Sequence, residues 1–568
     1  MEINRNSIIA QKILNVLKLE KKEISAIYFY AILNGGLQLL LPIGIQSIIN
    51  FVLGGAFSTS LYILIVFVVT TVFLSGFVQV KQMKIIEKIQ QKIFVRYAFT
   101  YANHIPKIDL KKSDYYYLPE LTNRFFDTMT MQKGISKILL DIPTALLQIL
   151  IGVILLSFYH PVFIFFGIFL LLMLAIILYF TGNKGLSTSL KTSSYKFAVA
   201  GWLQEIARSV KSFKLSKFNF FHIYKTDYYV NQYLNLKTEH FKVLKFQYWT
   251  IIVFKVLVTA IMLIVGSVLL VNQDINIGQF IAAEIVIILV INSVEKLIVT
   301  LDKVYDILTS VEKLGTLIEQ PLEEEGNIKL DEKKEGLKIN IDNLSFSYNK
   351  DVKVLQNISL EIKPGERIGL IGLTNSGKTT LLRLLTGIYN DFSGSILINN
   401  LPINSLVDNS FHSQIGVLFT HQEIFYGTLE ENITMGNKQI TSSTVSNLIN
   451  QLGLESILID LPDGLEEKLD PMGKKLSSTF KNKILLLRAL IGNPRLILMY
   501  DDPWNYFEKS IQEKINLYFN KLKAESTLIV ASNDIEFLKS CDKIIVLDNG
   551  DLKAYDTFQN IKDLNQYL

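Results

Sequence analysis

Six long apolar stretches occupy the first part of the chain, at about residues 24–53, 61–80, 138–159, 161–180, 248–271 and 277–300. Each stretch has the roughly 20 residues that an α-helix needs to cross a hydrocarbon layer of about 30 Å. We therefore predict six membrane-spanning helices. Because six is an even number, both ends of the chain are expected on the same side of the membrane.

The connections between these stretches alternate in length and charge. Three are short and carry no Lys or Arg, at about residues 55–59, 159–161 and 272–276, whereas the other two span residues 81–137 and 181–247. The basic residues of the long connections include Lys81, Lys84, Lys88, Lys92, Arg96, Lys107, Lys111, Lys112, Lys184, Lys191, Lys196, Arg208, Lys211, Lys214 and Lys217. Since positively charged connections remain in the cytoplasm, we expect the long connections and the part after the sixth stretch to be cytoplasmic.

The long connections also keep an apolar pattern with helical spacing. Ile85, Ile89 and Ile93 recur at intervals of four residues, so the membrane helices are expected to continue well beyond the bilayer. The pattern is interrupted around residues 115–119 and 212–221. We expect short transverse helices there that contact the second domain.

Shifts in composition divide the chain into four segments. Residues 1–23 form an amphipathic, basic stretch that is expected to lie along the inner membrane surface, with no cleavable signal and no room for a large N-terminal domain. Residues 24–319 form the predicted transmembrane domain. Residues 320–337 are charged and poor in apolar residues, which indicates a linker. In residues 338–568 short strands alternate with helices, which predicts a mostly parallel α/β sheet.

A glycine-containing loop at residues 372–380 carries the clearest chemistry. It reads GlyLeuThrAsnSerGlyLysThrThr and lies between an apolar run at 368–371 and a helical pattern at 381–385. Gly372 and Gly377 allow backbone N–H groups to turn inward around phosphate oxygens, and the following helix presents its positive end to the same anion. A chance match in a glycine turn is the alternative, but both flanks favour a phosphate site.

The remaining residues of this loop complete a site for a nucleoside triphosphate and Mg²⁺. Lys378 supplies a mobile positive charge for the outer phosphates, and the Thr379 hydroxyl is placed to bind Mg²⁺. Asn375 stands where such loops often have a glycine, and asparagine tolerates a left-handed backbone. Asp501 follows an apolar run, so a buried strand is expected to place its carboxylate beside the metal. The predicted phosphate-binding residues are Gly372, Asn375, Ser376, Gly377, Lys378, Thr379 and Thr380.

Composition agrees with a membrane protein that has a soluble part, because 49% of the residues are hydrophobic and only 19% are charged. The net charge is a modest +5, and no nucleic-acid partner is expected. The single cysteine, Cys541, excludes an intramolecular disulfide and a cysteine-based metal cluster. The six histidines show no ligand spacing, so no bound transition metal is expected.

Two ionisable residues inside the apolar stretches indicate function or unusual packing. Lys255 lies about nine residues deeper than Glu284, roughly 13 Å at helical rise, which argues against a direct ion pair. Glu284 is therefore expected to face a polar cavity or a second subunit, the alternative being a snorkelling or helix-contact role. Asn34, Gln38 and Gln46 are expected to form hydrogen bonds between helices.

With six spans followed by this loop, the chain resembles a half-transporter of the ABC exporter family over nearly its whole length. Tyr348 matches the aromatic residue that stacks on adenine, and residues 473–477 with the helix at 483–490 match the family signature. Residues 461–466 and 470–473 are similar to the toxin and bacteriocin exporters of type I secretion.

The resemblance implies a dimer in the bacterial inner membrane. ATP would bind between a phosphate loop and the opposite signature, here Ser477, Ser478 and Thr479. In the secretion branch it further implies a periplasmic adaptor and an outer-membrane channel. Membrane lipid is an expected partner of the apolar helices.

Four departures from the family pattern fall on the parts that hydrolyse and sense ATP. The signature LeuSerGlyGlyGln is replaced by LeuSerSerThrPhe at 476–480, whose side chains are expected to crowd the γ-phosphate. The catalytic glutamate becomes Asp502, one methylene shorter, which makes it a weak base. The coupling glutamine becomes Thr420, although Gln422 is close in sequence. The switch histidine becomes Asn533, which can hydrogen-bond a phosphate but carries no charge.

The sequence therefore predicts an all-α six-helix ABC exporter transmembrane domain joined to an α/β P-loop NTPase domain. We expect an ATP-binding exporter subunit with impaired hydrolysis, whose cargo is a peptide, protein or amphiphile. The alternatives are the degenerate half of a heterodimer whose partner hydrolyses ATP, a membrane scaffold that binds ATP without transport, and an active homodimer in which the departures have no effect.

Overall fold

The computed structural model describes residues 18, 20–55, 59–113, 117–217, 220–348, 352–419, 422–500, 507–561 and 566–567. The chain divides into two compact units. The membrane unit contains residues 1–108 and 115–320, and the nucleotide unit contains residues 109–114 and 321–568. Residues 109–114 fall within the predicted transmembrane domain but belong to the nucleotide unit.

Helices form the described part of the first half of the chain. They are α1 (Lys21–Leu53), α2 (Thr59–His104), α3 (Leu110–Ser113), α4 (Leu118–Asn123), α5 (Asp127–Tyr159), α6 (Phe163–Arg208), α7 (Val210–Leu215), α8 (Phe221–Val271) and α9 (Ile277–Ile318). Six of them, the long ones, are apolar enough to cross a membrane. Helix α9 has 42 residues, about 63 Å at helical rise. The prediction that helices continue beyond the bilayer is confirmed.

The hydrogen bonds expected between membrane helices are present. In each pair a side chain on one helix donates to an amide oxygen on helix α1. The pairs are Ser75 with Asn34 (2.7 Å), Gln148 with Gln38, and Tyr159 with Gln46 (2.7 Å). An amide buried among apolar helices needs such a partner, since water does not reach it.

Lys255 forms its ion pair with Glu295 on helix α9. The expectation that it does not pair directly with Glu284 agrees with this contact. Sequence reasoning overlooked Glu295, although it lies in the same apolar stretch as Glu284. In the described part of the chain, Glu284 Oε2 is buried and has no hydrogen-bond partner.

The tip of the first long connection is part of the nucleotide unit. Lys111 Nζ lies 2.7 Å from a carboxylate oxygen of Asp391 and 4.8 Å from the ring centroid of Phe346. Helix α3 ends before the predicted interruption at 115–119 and α4 begins within it, while α7 ends within the one at 212–221. Residues 114–116 and 218–219 lie outside the described part of the chain.

The charged segment predicted as the linker, residues 320–337, belongs from Pro321 onward to the nucleotide unit and packs within it. The Ile328 N–H donates to the Ser405 carbonyl at 2.8 Å, and Leu330 is buried. Arg495 lies 3.2 Å from the Asp331 carboxylate. Leu330 and Leu337 are the apolar residues of this segment that are buried, and the frequent charges around them concealed that pattern in the sequence.

The nucleotide unit contains three sheets. Its strands are β1 (Ile339–Phe346), β2 (Leu355–Ile362), β3 (Arg367–Ile371), β4 (Ser393–Ile398), β5 (Leu401–Pro402), β6 (Ile415–Leu418), β7 (Gly427–Thr428), β8 (Lys468–Leu469), β9 (Leu496–Tyr500), β10 (Thr527–Ala531), β11 (Lys543–Asp548) and β12 (Asp551–Asp556). The main sheet has the order β12-β11-β3-β10-β9-β6 and is parallel except for β12. An antiparallel sheet, β2-β1-β4-β5, and the pair β7-β8 complete the set.

Helices separate the strands of the main sheet. They are α10 (Lys378–Leu385), α11 (Asp408–His412), α12 (Leu429–Thr434), α13 (Ser442–Leu452), α14 (Ser456–Ile459), α15 (Ser478–Leu490), α16 (Lys509–Lys521) and α17 (Ile535–Lys539). The predicted mostly parallel α/β sheet is confirmed. The antiparallel sheet at its side was not expected.

Glu323 should make the stability of the nucleotide unit depend on pH. Burial, with Asp408 and Asp109 nearby, raises the pKa of Glu323 to about 7. A carboxyl whose pKa is raised by folding costs stability as pH rises from its usual value near 4.5 to about 7, because ionisation is then harder in the folded state. Glu323→Gln should remove this loss. Thermal unfolding of the purified full-length protein at pH 5 and pH 8 measures it.

Glu324→Gln serves as the matched control, because Glu324 is the neighbouring glutamate and is exposed. The Glu323 variant should gain stability over wild type at pH 8 but not at pH 5. An equal response of the two variants would refute the assignment.

Candidate functional site

The loop at 372–380 connects strand β3 to helix α10. Strand β3 lies between β11 and β10 in the main sheet, and all its residues are buried. In a parallel sheet, the carboxyl ends of neighbouring strands meet at one edge, which is where ligands bind. The loop therefore lies at the central binding edge of the sheet.

Helix α10 begins without a side-chain cap. Its N-cap is Gly377, which has no side chain, and no capping hydrogen bond is present. By contrast, Thr428 caps α12 and Ser477 caps α15 with their hydroxyl oxygens. The first N–H groups of a helix have no acceptor within the helix. Where no side chain caps them, they can donate to a bound anion.

The two glycines predicted to shape the loop are each required by its geometry. Gly377 has φ 101°, and a Cβ there would lie 2.5 Å from Leu355 Cδ2. Gly372 has φ 150°, and its Cβ would lie 2.2 Å from the Leu547 carbonyl oxygen. Asn375 has φ 66°, which confirms that it adopts the left-handed conformation.

The loop encloses a cavity of about 780 Å³. Every predicted phosphate-binding residue from Gly372 to Thr380 lines it, including Ser376, Thr379 and the Thr380 side chain. The Lys378 ammonium group lies across the loop and donates to the carbonyl oxygens of Gly372 and Leu373, the latter at 3.0 Å. The cavity thus combines the backbone dipoles of the loop with the positive charge of Lys378.

Tyr348 forms one wall of this cavity. Its hydroxyl lies 3.2 Å from the Thr380 hydroxyl oxygen, and its ring meets the rings of Phe346 and Tyr389 edge to face, at 5.0 and 5.5 Å between centroids. The tyrosine is therefore held in position by contacts on two sides. This placement fits the predicted contact with a nucleotide base.

The opposite wall comes from the ends of strands β9 and β10. Tyr500 ends β9, and Asn533 follows β10 by two residues, so the predicted switch residue lines the cavity. Asp501 and Asp502, which come directly after Tyr500, lie outside the described residues. Thr420 lies outside them too.

Gln422 does not line the cavity. Its side-chain oxygen accepts a hydrogen bond from the Phe419 N–H at 3.3 Å, which closes a local turn. Closeness to Thr420 in sequence was therefore not enough to predict that Gln422 contacts the phosphates.

The signature residues also lie apart from this cavity. The Ser477 hydroxyl accepts from the Phe480 N–H at 3.1 Å and caps helix α15, while Ser478 is exposed. Thr479 is partly exposed. The expectation that Phe480 crowds the nucleotide is wrong, because its side chain is 8% exposed and packs in the hydrophobic core. The third residue after the cap points inward on this helix, and apolar burial decides its direction.

The cavity wall includes residues that sequence reasoning missed, among them Lys353, Val354 and Asn549. Asn549 belongs to the turn between β11 and β12, where the Gly550 N–H donates to the Ser376 carbonyl at 3.2 Å. An AsnGly pair between two strand patterns is a strong hairpin signal. That signal predicts the turn but not its contact with the loop.

Gly377→Ala should weaken binding of ATP about tenfold or more, because the new methyl group meets Leu355 and the positive φ adds about 1–3 kcal/mol of strain. Equilibrium binding of a fluorescent ATP analogue to the purified protein measures this. Gly436→Ala is the matched control, since Gly436 also has positive φ, 73°, but its Cβ would meet nothing within 4 Å. Equal affinity in both variants would contradict the role of Gly377.

Comparison with known proteins agrees with this geometry. The family model described as "ABC transporter transmembrane region" matches residues 24–294, and the one described as "ABC transporter" matches residues 355–505. A solved bacterial Atm1-family ABC exporter with ATP bound has the same fold, with a TM-score of 0.81 and 16% identity over 95% of this chain and 96% of that one.

Two curated relatives are similar to part of the chain. The uncharacterized ABC transporter ATP-binding protein YknV of Bacillus subtilis is 28% identical over 51% of this chain and 48% of its own length. The leukotoxin translocation ATP-binding protein LktB of Mannheimia haemolytica is 29% identical over 55% of this chain and 44% of its own length. The chain thus matches about half the length of these relatives. With both family regions in one polypeptide, it belongs to the ABC transporters, as a half-transporter that fuses a transmembrane region to an ATP-binding domain.

Proposed function

We propose that this chain is the ATP-binding subunit of an exporter that binds Mg-ATP firmly and hydrolyses it slowly. The observation that carries the proposal is the intact phosphate loop, with its cavity, uncapped helix and Lys378, in a chain whose hydrolytic positions are altered. Binding and hydrolysis depend on different residues, so one can persist while the other weakens.

Different residues of the cavity bind different parts of Mg-ATP. The loop N–H groups and Lys378 hold the phosphates, and Tyr348 stacks on the base. The Thr379 hydroxyl and the Asp501 carboxylate hold Mg²⁺, an ion that prefers such oxygen ligands and neutralises phosphate charge. Hard oxygen donors next to a phosphate cradle fit this ion.

Hydrolysis would be slow because Asp502 is one methylene shorter than the usual glutamate. A base must lie within about 3 Å of the water that it polarises. Asn533, on the cavity wall, can hydrogen-bond the outer phosphate but cannot carry the charge of a histidine. Thr420 replaces the glutamine that couples this site to cargo, and Gln422 is engaged in its own turn.

A dimer follows from the separation of the signature and the phosphate loop. Ser477, Ser478 and Thr479 do not line the cavity of their own chain, so an ATP bound there would meet a signature only from a second subunit. Closure of two nucleotide domains would then switch the membrane cavity from inward to outward through the long helices.

A heterodimer is the second candidate arrangement. Ser478 and Thr479 put side chains at the start of helix α15 where glycines would let a phosphate approach. A partner with an intact signature and glutamate would then complete one efficient site, and this chain would supply the other. ATP turnover that appears only with such a partner present would favour this arrangement over a homodimer.

The cargo is a peptide, protein or amphiphile, and the membrane is the bacterial inner membrane with the nucleotide unit in the cytoplasm. The basic long connections and the similarity to a leukotoxin translocation protein support this proposal. A type I secretion branch would add a periplasmic adaptor and an outer-membrane channel.

Asp502→Glu should raise ATP turnover by about tenfold or more, since restoring the longer base brings it within reach of the water. Lys378→Ala should abolish binding and turnover together. Phosphate release by the three purified proteins in lipid vesicles measures these effects.

The outcomes separate the alternatives. Wild-type turnover equal to that of Asp502→Glu would contradict impaired hydrolysis and favour an active homodimer. No turnover in wild type or Asp502→Glu, with assembly disturbed by Lys378→Ala, would favour an ATP-binding scaffold.

A further inference from the structure

A second cavity lies within the membrane unit, between helices α5, α8 and α9. Its volume is about 450 Å³. Its lining includes Lys137, Tyr248 and Thr300. In the sequence, these residues lie where three apolar stretches meet the adjoining connections. These positions correspond to the inner ends of the third, fifth and sixth predicted spans. The cavity is therefore at the depth of lipid headgroups, where tyrosines and lysines are enriched.

The carboxylates of this cavity are already paired. Asp141 lies 2.8 Å from Lys296 Nζ. Asp302 lies 3.0 Å from Lys303 Nζ, which also contacts Asp306 at 2.8 Å. Each aspartate of the lining thus has a lysine partner, and Asp302 also lies 3.4 Å from His240 Nε2.

Donors remain in excess. An ammonium group has three N–H donors, and the contacts above use one from Lys296 and two from Lys303. Lys137 also lines the cavity, is exposed, and makes no ion pair with any described residue. The lining therefore carries three lysines against two aspartates, and spare N–H donors on cationic groups suit an oxyanion.

The rest of the lining is apolar or deeply buried. Leu244, Ile251 and Ile298 provide an apolar wall beside the lysines. Gln247 is 2% exposed and is fixed by bonds from its Nε2 to the Thr181 hydroxyl at 2.8 Å and the Tyr305 hydroxyl at 3.3 Å. An ordered polar side chain next to an apolar wall fits a ligand with an anionic head and an apolar body.

We propose that this cavity binds the phosphate headgroup of an anionic membrane lipid. Lys137 contacts the phosphate from the open side, and Lys296 and Lys303 donate from the wall. The apolar side chains contact the glycerol and the first part of the acyl chains. The site lies wholly within the membrane unit and shares no lining residue with the ATP site.

Lys137→Gln should lower the affinity for phosphatidylglycerol about tenfold, the effect of losing one charge-assisted hydrogen bond. The full-length protein in detergent is titrated with phosphatidylglycerol and separately with phosphatidylcholine, and bound lipid is counted by native mass spectrometry. Wild type should prefer phosphatidylglycerol, because phosphatidylcholine carries a quaternary ammonium whose positive charge offsets the phosphate and is repelled by the lysines of the cavity. Lys137 is exposed and unpaired, so its replacement should not disturb folding.

Lys133→Gln is the matched control, since Lys133 is also an exposed lysine on helix α5 but does not line the cavity. It should bind phosphatidylglycerol as wild type does. Equal loss in both variants, or equal binding of the two lipids by wild type, would overturn the proposal. Soluble glycerol phosphate should bind much more weakly than the lipid. If it binds equally well, the site recognises a free phosphate ester and the membrane source is refuted.

Discussion

The supply of acceptors for backbone N–H groups is the constraint on which both halves of this chain depend. In the hydrocarbon layer only a helix satisfies every N–H within one segment, and the membrane unit accordingly consists of long helices in its described part. At the phosphate loop, no side chain accepts from the N–H groups at the start of helix α10. Helix α10 starts at a glycine that cannot cap it, so its first N–H groups face a cavity.

Helices α10 and α15 differ in the residue at their N-cap. Gly377 leaves the start of α10 open to an anion, whereas Ser477 caps α15 with its side chain. Ser477 caps α15 with its own oxygen, and Phe480 anchors the first turn in the core. Helix α15 therefore has an acceptor for the Phe480 N–H within the chain, whereas no side chain caps the start of helix α10.

In the membrane unit, three polar side chains of helix α9 pair with side chains on neighbouring helices. Ser293 donates to Gln148 at 2.7 Å, Glu295 pairs with Lys255, and Lys296 pairs with Asp141. These near-consecutive residues reach three different side chains on α5 and α8. A charge in an apolar setting is expensive unless it is paired, so such contacts fix how the helices face one another.

The sequence by itself determined the six spans, the helical extensions and the phosphate loop, because each depends on a local pattern of apolar spacing or on residue types in fixed order. Only the tertiary structure decided which residues meet. It paired Lys255 with Glu295, turned Phe480 into the core, bonded the Ile328 backbone to Ser405 and brought Asn549 to the loop. Those contacts join residues far apart along the chain, and their geometry is set by the packing of whole helices and sheets, which no local pattern records.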